Sequence, residues 1–202
     1  MTLSRQAAEG SGWQVWACWR PHRGYTVGGD FCYACGGGGG LLVAAVDVLG
    51  HGEEAYCSLQ GIRRELEEGG ENLLDIYRRV EQSASRSRGC ALFLSLLNNH
   101  SIDYILVGNL RGWVINRGRF EVLPGQAGIV GGRKLLPAVR SVKINDKSLL
   151  MVCSDGIRRS FLPDSYDGKL WYDDGFNLAC SVLEQYGIAE DDASVLVGRR
   201  WP

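Results

Sequence analysis

The hydrophobic pattern of the chain switches between continuous apolar runs and stretches with helical spacing. Residues Leu41 to Val46 are uncharged and are all Leu, Val or Ala. They show no alternation, which predicts a strand covered on both faces. Apolar or alternating runs at Gln14 to Trp19, Cys90 to Leu97, Ile102 to Val107 and Gly112 to Ile115 predict further strands, the last three as an antiparallel meander.

Three segments instead carry apolar residues three or four positions apart, which predicts amphipathic helices. The first begins near Glu53, the third runs from about Phe176 to Tyr186, and glycines follow both. The apolar positions of the first two helices are Ala55, Leu59, Ile62 and Leu66, then Leu73, Tyr77, Val80 and Ala84.

A run of five glycines, Gly36 to Gly40, precedes the strand that begins at Leu41. It lacks the Lys-Ser/Thr pair of a phosphate-binding loop and leads into a strand rather than a helix, so we interpret it as a hairpin turn. Such a hairpin folds the segment carrying Asp30 back alongside the segment carrying Asp47. Two distant carboxylates are then expected to face one pocket.

Asp47 lies at the end of the most apolar strand, and Gly50-His51-Gly52 follow two residues later. A carboxylate at the mouth of a buried strand is unfavourable unless a cation or hydrogen-bond donors meet it. This position therefore indicates a metal or phosphate-handling site. The alternative is an Asp that caps the helix beginning near Glu53.

The same pattern recurs at other predicted strand ends. Asp155 follows the apolar run Ser148 to Cys153, and Asp191-Asp192 precede the run Ala193 to Val197. Clustered carboxylates with little His or Cys nearby favour hard, oxygen-preferring ions such as Mg²⁺ or Mn²⁺ over zinc. Two such ions can hold a phosphate group and activate the water that hydrolyses it.

Composition limits the remaining classes of function. The chain has 202 residues, 45% of them apolar, and 22 basic residues against 23 acidic ones. We expect a single domain, residues 1–202, that binds neither nucleic acid nor membranes. With no signal peptide or apolar span apparent, a cytoplasmic location is expected. The seven cysteines indicate reduced core thiols, although Cys32 and Cys35 leave a zinc or redox pair as an alternative.

In this order and at these separations, the acidic motifs resemble the SpoIIE-like branch of the metal-dependent PP2C (PPM) serine/threonine phosphatases, over about residues 13 to 200. The segments around Arg88 to Ala91 and Val107 to Leu110 look like those of the single-domain RsbX-type stressosome phosphatases. The matching motifs are Val27-Gly28-Gly29-Asp30, Asp47-Val48-Leu49-Gly50-His51-Gly52, Ser154-Asp155-Gly156 and Asp191-Asp192-Ala193-Ser194.

The resemblance implies an α+β fold, a PP2C-like α-β-β-α sandwich of two antiparallel β-sheets flanked by helices. It implies two Mn²⁺ or Mg²⁺ ions bridged by Asp47, with the backbone carbonyl of Val48 as a further ligand. Asp155 and Asp191 would complete the shell of one ion, and Asp30 would bind a metal or hold its waters. These carboxylates would be the catalytic groups.

Other positions have less certain counterparts in the family. Asp192 is the alternative to Asp191 as a ligand, and His51 is either a general acid or a structural residue of its turn. Tyr33 stands where many members have a second acid, and Ser194 replaces the usual Thr. No arginine lies in register with the phosphate-binding Arg of eukaryotic relatives.

The leading hypothesis is a monomeric phosphatase that removes phosphate from Ser or Thr of STAS-domain stressosome scaffold proteins. One rival is an RsbU- or SpoIIE-type phosphatase of an anti-anti-sigma factor. Another is a non-catalytic module of the same fold that binds a phosphoprotein. Substrate choice is expected to lie in the surface loops 117–138 and 158–175.

Overall fold

The apolar runs form antiparallel strands. The computed structural model describes residues 3–37, 39–133, 135–165 and 174–201. The strands within these ranges are β1 Ser4–Gly10, β2 Trp13–Arg20, β3 Asp30–Gly37, β4 Gly40–Val48, β5 Cys90–Leu97, β6 Ser101–Val107, β7 Arg111–Asn116, β8 Arg119–Leu123, β9 Arg140–Lys143, β10 Leu149–Cys153 and β11 Ala193–Arg200. One sheet has the order β1-β2-β11-β10-β7-β8 and the other β3-β4-β5-β6-β9.

The three predicted helices are present as α1 Gly52–Glu67, α2 Leu73–Ala84 and α3 Gly175–Tyr186. Asn72 and Asp174 cap α2 and α3, because each side chain accepts hydrogen bonds from backbone N–H groups of the first turn. The residue before α1 is His51, whose side chain makes no capping hydrogen bond. Within the described residues, no helix is both long and apolar enough to cross a membrane.

The layers follow from which face of each sheet the helices cover. Helices α1 and α2 pack on the five-stranded sheet, where Val46, Ile62 and Tyr77 share one buried cluster. Helix α3 packs on the six-stranded sheet, with Leu178 and Val182 in a second cluster. A third cluster lies between the two sheets. The α-β-β-α sandwich expected from the resemblance is therefore confirmed.

The glycine-rich hairpin is also confirmed, and it sets the position of the acidic residues. Strands β3 and β4 pair so that Asp30 lies opposite Asp47 and Gly37 opposite Gly40. Asp47 belongs to β4 itself, five residues before α1 begins, so the interpretation of this acid as a helix cap is wrong. Since side chains alternate along a strand, Asp47 faces the other sheet together with Val43 and Ala45.

Three expectations need correction. The strand predicted at Gly112 to Ile115 does not continue the meander of β5 and β6, because β7 pairs with β8 and β10 in the six-stranded sheet. Strand β1 was not predicted, because Ser4 to Gly10 is half-exposed and its alternation of polar with small residues gives little signal. All seven cysteines are free, but Cys35 and Cys57 are exposed rather than part of the core. Cys32 is buried while Cys35 is exposed, which separates the two members of the C-x-x-C pair.

Candidate metal centre

Four acidic segments meet at one end of the sandwich. Asp30 and Asp47 come from the five-stranded sheet, and Asp155 and Asp191 come from the turns that flank β10 and β11 in the other. The pairing of β10 with β11 continues one residue beyond the end of β10, because the Ser154 amide donates to the Ser194 carbonyl at 3.1 Å. The four segments thus place carboxylates from both sheets beside one another.

Three of these acids, Asp47, Asp155 and Asp191, line a cleft of about 430 Å³, and Asp30 lies opposite Asp47 on the neighbouring strand. One wall is formed by Ala127, Gly128 and Ile129, which lie in the 117–138 loop expected near the active face. The second expected loop, 158–175, lies partly outside the described residues. The other residues that line the cleft are Asp47, Leu49, Gly50, His51, Ala91, Gly108, Asn109, Asp155 and Asp191.

Asp30 and Asp47 carry the strongest electrostatic perturbation among the carboxylates. Burial raises the pKa of Asp47 to about 9, and repulsion from Asp30 and Asp155 adds to the effect. Burial also raises the pKa of Asp30 to about 8, although the nearby Ser154 and Ser194 hydroxyls oppose the rise. At neutral pH both acids therefore hold protons in the metal-free protein, because burial and mutual repulsion disfavour their charged forms.

Asp30 is 4% exposed, and its Oδ2 atom is buried without a hydrogen-bond partner of normal geometry. The neighbouring Ser194 Oγ is likewise buried without such a partner. An unpaired carboxylate oxygen is unfavourable in the interior, because it has lost its hydration and gained no donor. Asp30 therefore has an open acceptor beside the acidic cleft.

Asp155 and Asp191 stand on the opposite side of the cleft. Asn109 Nδ2 donates to Asp155 Oδ2 at 2.6 Å, which orients that carboxylate. Burial raises the pKa of Asp191, as does repulsion from Asp155. Asn109 lies within the segment Val107 to Leu110, and the sequence alone assigns it no role in the site. Its place after the apolar strand β6, like that of Asp47 at the end of β4, is the signal that identifies it.

Asp192 has a different environment from Asp191. Its Oδ1 accepts from the His22 amide and its Oδ2 from the Gly29 amide, both at 2.6 Å. A Cβ on Gly28 would lie 2.3 Å from Asp192 Oδ1, so only glycine fits there. Both carboxylate oxygens thus fix the loop between β2 and β3, and Asp191 is the better placed ligand.

The backbone around Val48 is also shaped by a glycine. Val48 N donates to Gly29 O at 3.2 Å, and a Cβ on Gly29 would come within 2.9 Å of Val48 O. The absence of that side chain lets the two segments approach closely. The Val48 carbonyl therefore lies at the junction of the strand ends that carry Asp30 and Asp47.

His51 lines the cleft as the last residue before α1. Its ring centroid is 4.9 Å from those of both His22 and Tyr25. His22 Nδ1 is buried without a partner, and its ring lies near enough to Asp191 to lower the pKa of that acid slightly. Nothing in the sequence signals His22, because only the path of the β2–β3 loop brings it here.

The acidic side chains suit a cation by their chemistry rather than by their present spacing. Within the described residues, no three His, Cys, Asp or Glu side chains are already gathered closely enough to hold a metal ion. The chemistry of the site nevertheless fits one: its donors are oxygens, one buried oxygen of Asp30 lacks a partner, and the carboxylates repel one another. Hard divalent cations such as Mg²⁺ and Mn²⁺ satisfy all three conditions.

Comparison with solved structures supports the fold. RsbX in complex with magnesium is similar with a TM-score of 0.82 at 20% identity, over 98% of this chain and 100% of that one. A structure from work on the bacterial stressosome, as a modular system adapted to control secondary messenger signalling, gives 0.80 at 21% over 98% and 100%. The catalytic domain of the serine/threonine phosphatase PstP with two manganese ions gives 0.73 at 16% over all of both chains.

No family model matches the sequence, and no curated protein matches it. The likeness to known proteins therefore lies in the backbone. The chain has the PP2C fold, and its likeness to RsbX extends over nearly its whole length.

Proposed function

We propose that the chain is a Mn²⁺- or Mg²⁺-dependent protein serine/threonine phosphatase that works as a cytoplasmic monomer. The observation that carries the proposal is the convergence of Asp30, Asp47, Asp155 and Asp191 at one end of the sandwich, with an unpaired Asp30 oxygen and strong mutual repulsion. Structural similarity to RsbX with magnesium and to PstP with two manganese ions supports the same reading.

The roles of the side chains follow from their positions. Asp47 lies between acids of both sheets and would be shared by two ions, with Asp155 and Asp191 completing one shell. Asp30, which lies opposite Asp47 in the β3–β4 pairing, and the Val48 carbonyl would serve the second ion or its waters. Asn109 orients Asp155.

The reaction is the hydrolysis of a phosphomonoester. Bound ions would stabilise the charge on the phosphoryl oxygens in the transition state and acidify the attacking water. The water oxygen bonds to phosphorus as the bond to the Ser or Thr oxygen breaks, and the leaving oxygen takes a proton. His51 lines the cleft against His22 and Tyr25, and we assign this proton transfer to it.

For the substrate, we propose phosphoserine or phosphothreonine on a STAS-domain stressosome scaffold protein. Similarity to RsbX and to a structure from work on the stressosome supports this choice over an anti-anti-sigma factor. The wall residue Ile129 is 42% exposed, so a substrate protein whose phosphorylated side chain enters the cleft can contact it.

The test is to incubate the purified protein with phosphorylated scaffold and anti-anti-sigma proteins, with Mn²⁺ or with EDTA, and to measure released phosphate. We expect Mn²⁺-dependent release from the scaffold at a rate at least about tenfold above that from the anti-anti-sigma factor. Faster release from the latter would favour the RsbU- or SpoIIE-type reading. Binding without release from either would favour the non-catalytic module.

A further inference from the structure

A cationic side chain lies directly beside the wall of the acidic cleft. Arg88 stands in the turn between α2 and β5, and that turn is tied to the end of β4 because Leu49 N donates to Gly89 O at 3.2 Å. The Nη1 atom of Arg88 lies 2.6 Å from the position that a Cβ on Gly50 would take. Its guanidinium thus covers the bare backbone of Gly50, which lines the cleft.

Arg88 lines a second cavity of about 370 Å³, which we call the Arg88 pocket. This pocket shares Gly50 and His51 with the cleft, so only that backbone and one ring separate the two. Gly50 has a φ of 95°, a backbone conformation that favours glycine. No side chain therefore projects from residue 50 between the two cavities. The lining residues of the Arg88 pocket are Tyr25, Gly50, His51, Glu53, Glu54 and Arg88.

The present partner of Arg88 is weakly held. Arg88 Nη2 pairs with Glu54 Oε2 in the first turn of α1, and the two side chains are 48% and 74% exposed. An ion pair this exposed contributes about 0–1 kcal/mol, because water screens it. A doubly charged phosphate that accepts two parallel hydrogen bonds from the guanidinium competes well with such a partner.

Two other arginines near the cleft are held by hydrogen bonds to backbone carbonyls of this chain. Arg20 is 6% exposed and donates to the carbonyls of Ile188 and Asp191, which holds the turn before β11. Arg111 donates to the Ile157 carbonyl after β10. Releasing either one would leave carbonyl oxygens without their donors, whereas releasing Arg88 leaves only an exposed carboxylate in water.

We infer that Arg88 exchanges Glu54 for the phosphoryl group of the bound substrate, and that Glu54 is the competing anion when the cleft holds none. This inference rests on the proposed phosphatase function. Two divalent ions would balance the four carboxylates, so the charge brought by a phosphate calls for one more cation at the rim. Arg88 is positioned to supply it across Gly50.

The test measures binding of inorganic phosphate to the Mn²⁺-loaded protein by isothermal titration calorimetry. Arg88→Ala should weaken binding roughly tenfold, the effect of losing a charge-assisted pair of hydrogen bonds. Glu54→Gln should strengthen binding several-fold, because it removes the competitor. Arg88→Lys should fall between, since it keeps the charge and loses the planar fork.

The control is Arg78→Ala, which breaks a similarly exposed pair with Asp75 on α2 and lines neither cavity; its phosphate affinity should equal that of the parent. With p-nitrophenyl phosphate as substrate, Arg88→Ala should raise KM more than it lowers kcat.

The opposite signs of the two substitutions separate this role from a structural one. If Glu54→Gln and Arg88→Ala both weaken phosphate binding, the pair merely supports the fold and the inference is overturned. The inference is also overturned if Arg88→Ala binds phosphate as tightly as the parent protein, or if the parent protein binds no phosphate. The phosphatase proposal is judged separately, by whether the parent protein releases phosphate with Mn²⁺.

Discussion

Asp47→Asn should abolish Mn²⁺-dependent phosphate release while the protein stays folded. Asp47 is the acid between the two sheets, and its loss removes the group shared by both proposed ions. Losing about 4 kcal/mol of transition-state stabilisation lowers the rate roughly a thousandfold, which is the minimum effect expected. Phosphate release from p-nitrophenyl phosphate at saturating Mn²⁺ measures it.

The fold should survive because the substitution copies the protonated state of the metal-free protein. With a pKa of about 9, Asp47 already holds a proton at neutral pH, and Asn has nearly the same shape. Circular dichroism without metal should show a thermal midpoint at least as high as the parent's at neutral pH, because Asn, unlike the protonated Asp47, releases no proton on unfolding. Asp75→Asn, an exposed acid on α2, is the matched control and should keep full activity. Hydrolysis that persists in Asp47→Asn would refute the proposed centre.

The metal-free protein should lose stability as the pH rises from 5 to 8. Asp30 and Asp47 have pKa values of about 8 and 9 when folded, against 3.8 ordinarily. The native state therefore keeps protons that the unfolded chain has released, and stability falls across this window by up to about 1.4 kcal/mol per pH unit for each group. Over three pH units the two groups together lose up to about 8 kcal/mol, so thermal melts should show the midpoint falling by roughly 20 °C.

Added Mn²⁺ should reverse this trend, because the ion competes with protons for the same carboxylates and binds more tightly as the pH rises. Asp47→Asn should flatten the metal-free slope, since it removes one of the two titrating groups. A midpoint that rises between pH 5 and 8 without metal would show that Asp30 and Asp47 are not buried as the structure has them.

The sequence predicts that Asp30 lies alongside Asp47, because a hairpin at the glycine run folds the two segments together. The exact register is a finding of the structure, since glycines restrict it little. It predicts the helices because their apolar positions repeat every three or four residues. The role of Asp192 could not be predicted from the sequence, since the two amides that bind this acid belong to a loop some 170 residues away in the chain. Arg88 was not recognised for the same reason, because its proximity to Gly50 depends on two loops meeting.

The sequence patterns explain why the acidic residues could be identified but the group that each one contacts could not. An aspartate at the end of an apolar run stands out in any sequence, so Asp47 and Asp155 were found without a structure. Whether such an acid faces a cation or a backbone amide depends on a few ångströms of loop path. Asp191 and Asp192, adjacent in sequence, differ in this way.

The most direct test of the central claim, that these acids form a two-ion centre, is anomalous diffraction from crystals soaked in Mn²⁺. Two anomalous peaks about 3.5–4 Å apart are expected in the cleft, with the Asp47 carboxylate between them. Crystals of Asp47→Asn soaked in the same way should lose at least one peak. Peaks remote from Asp47, or none in the cleft of the parent protein, would rule out a two-ion centre at these acids.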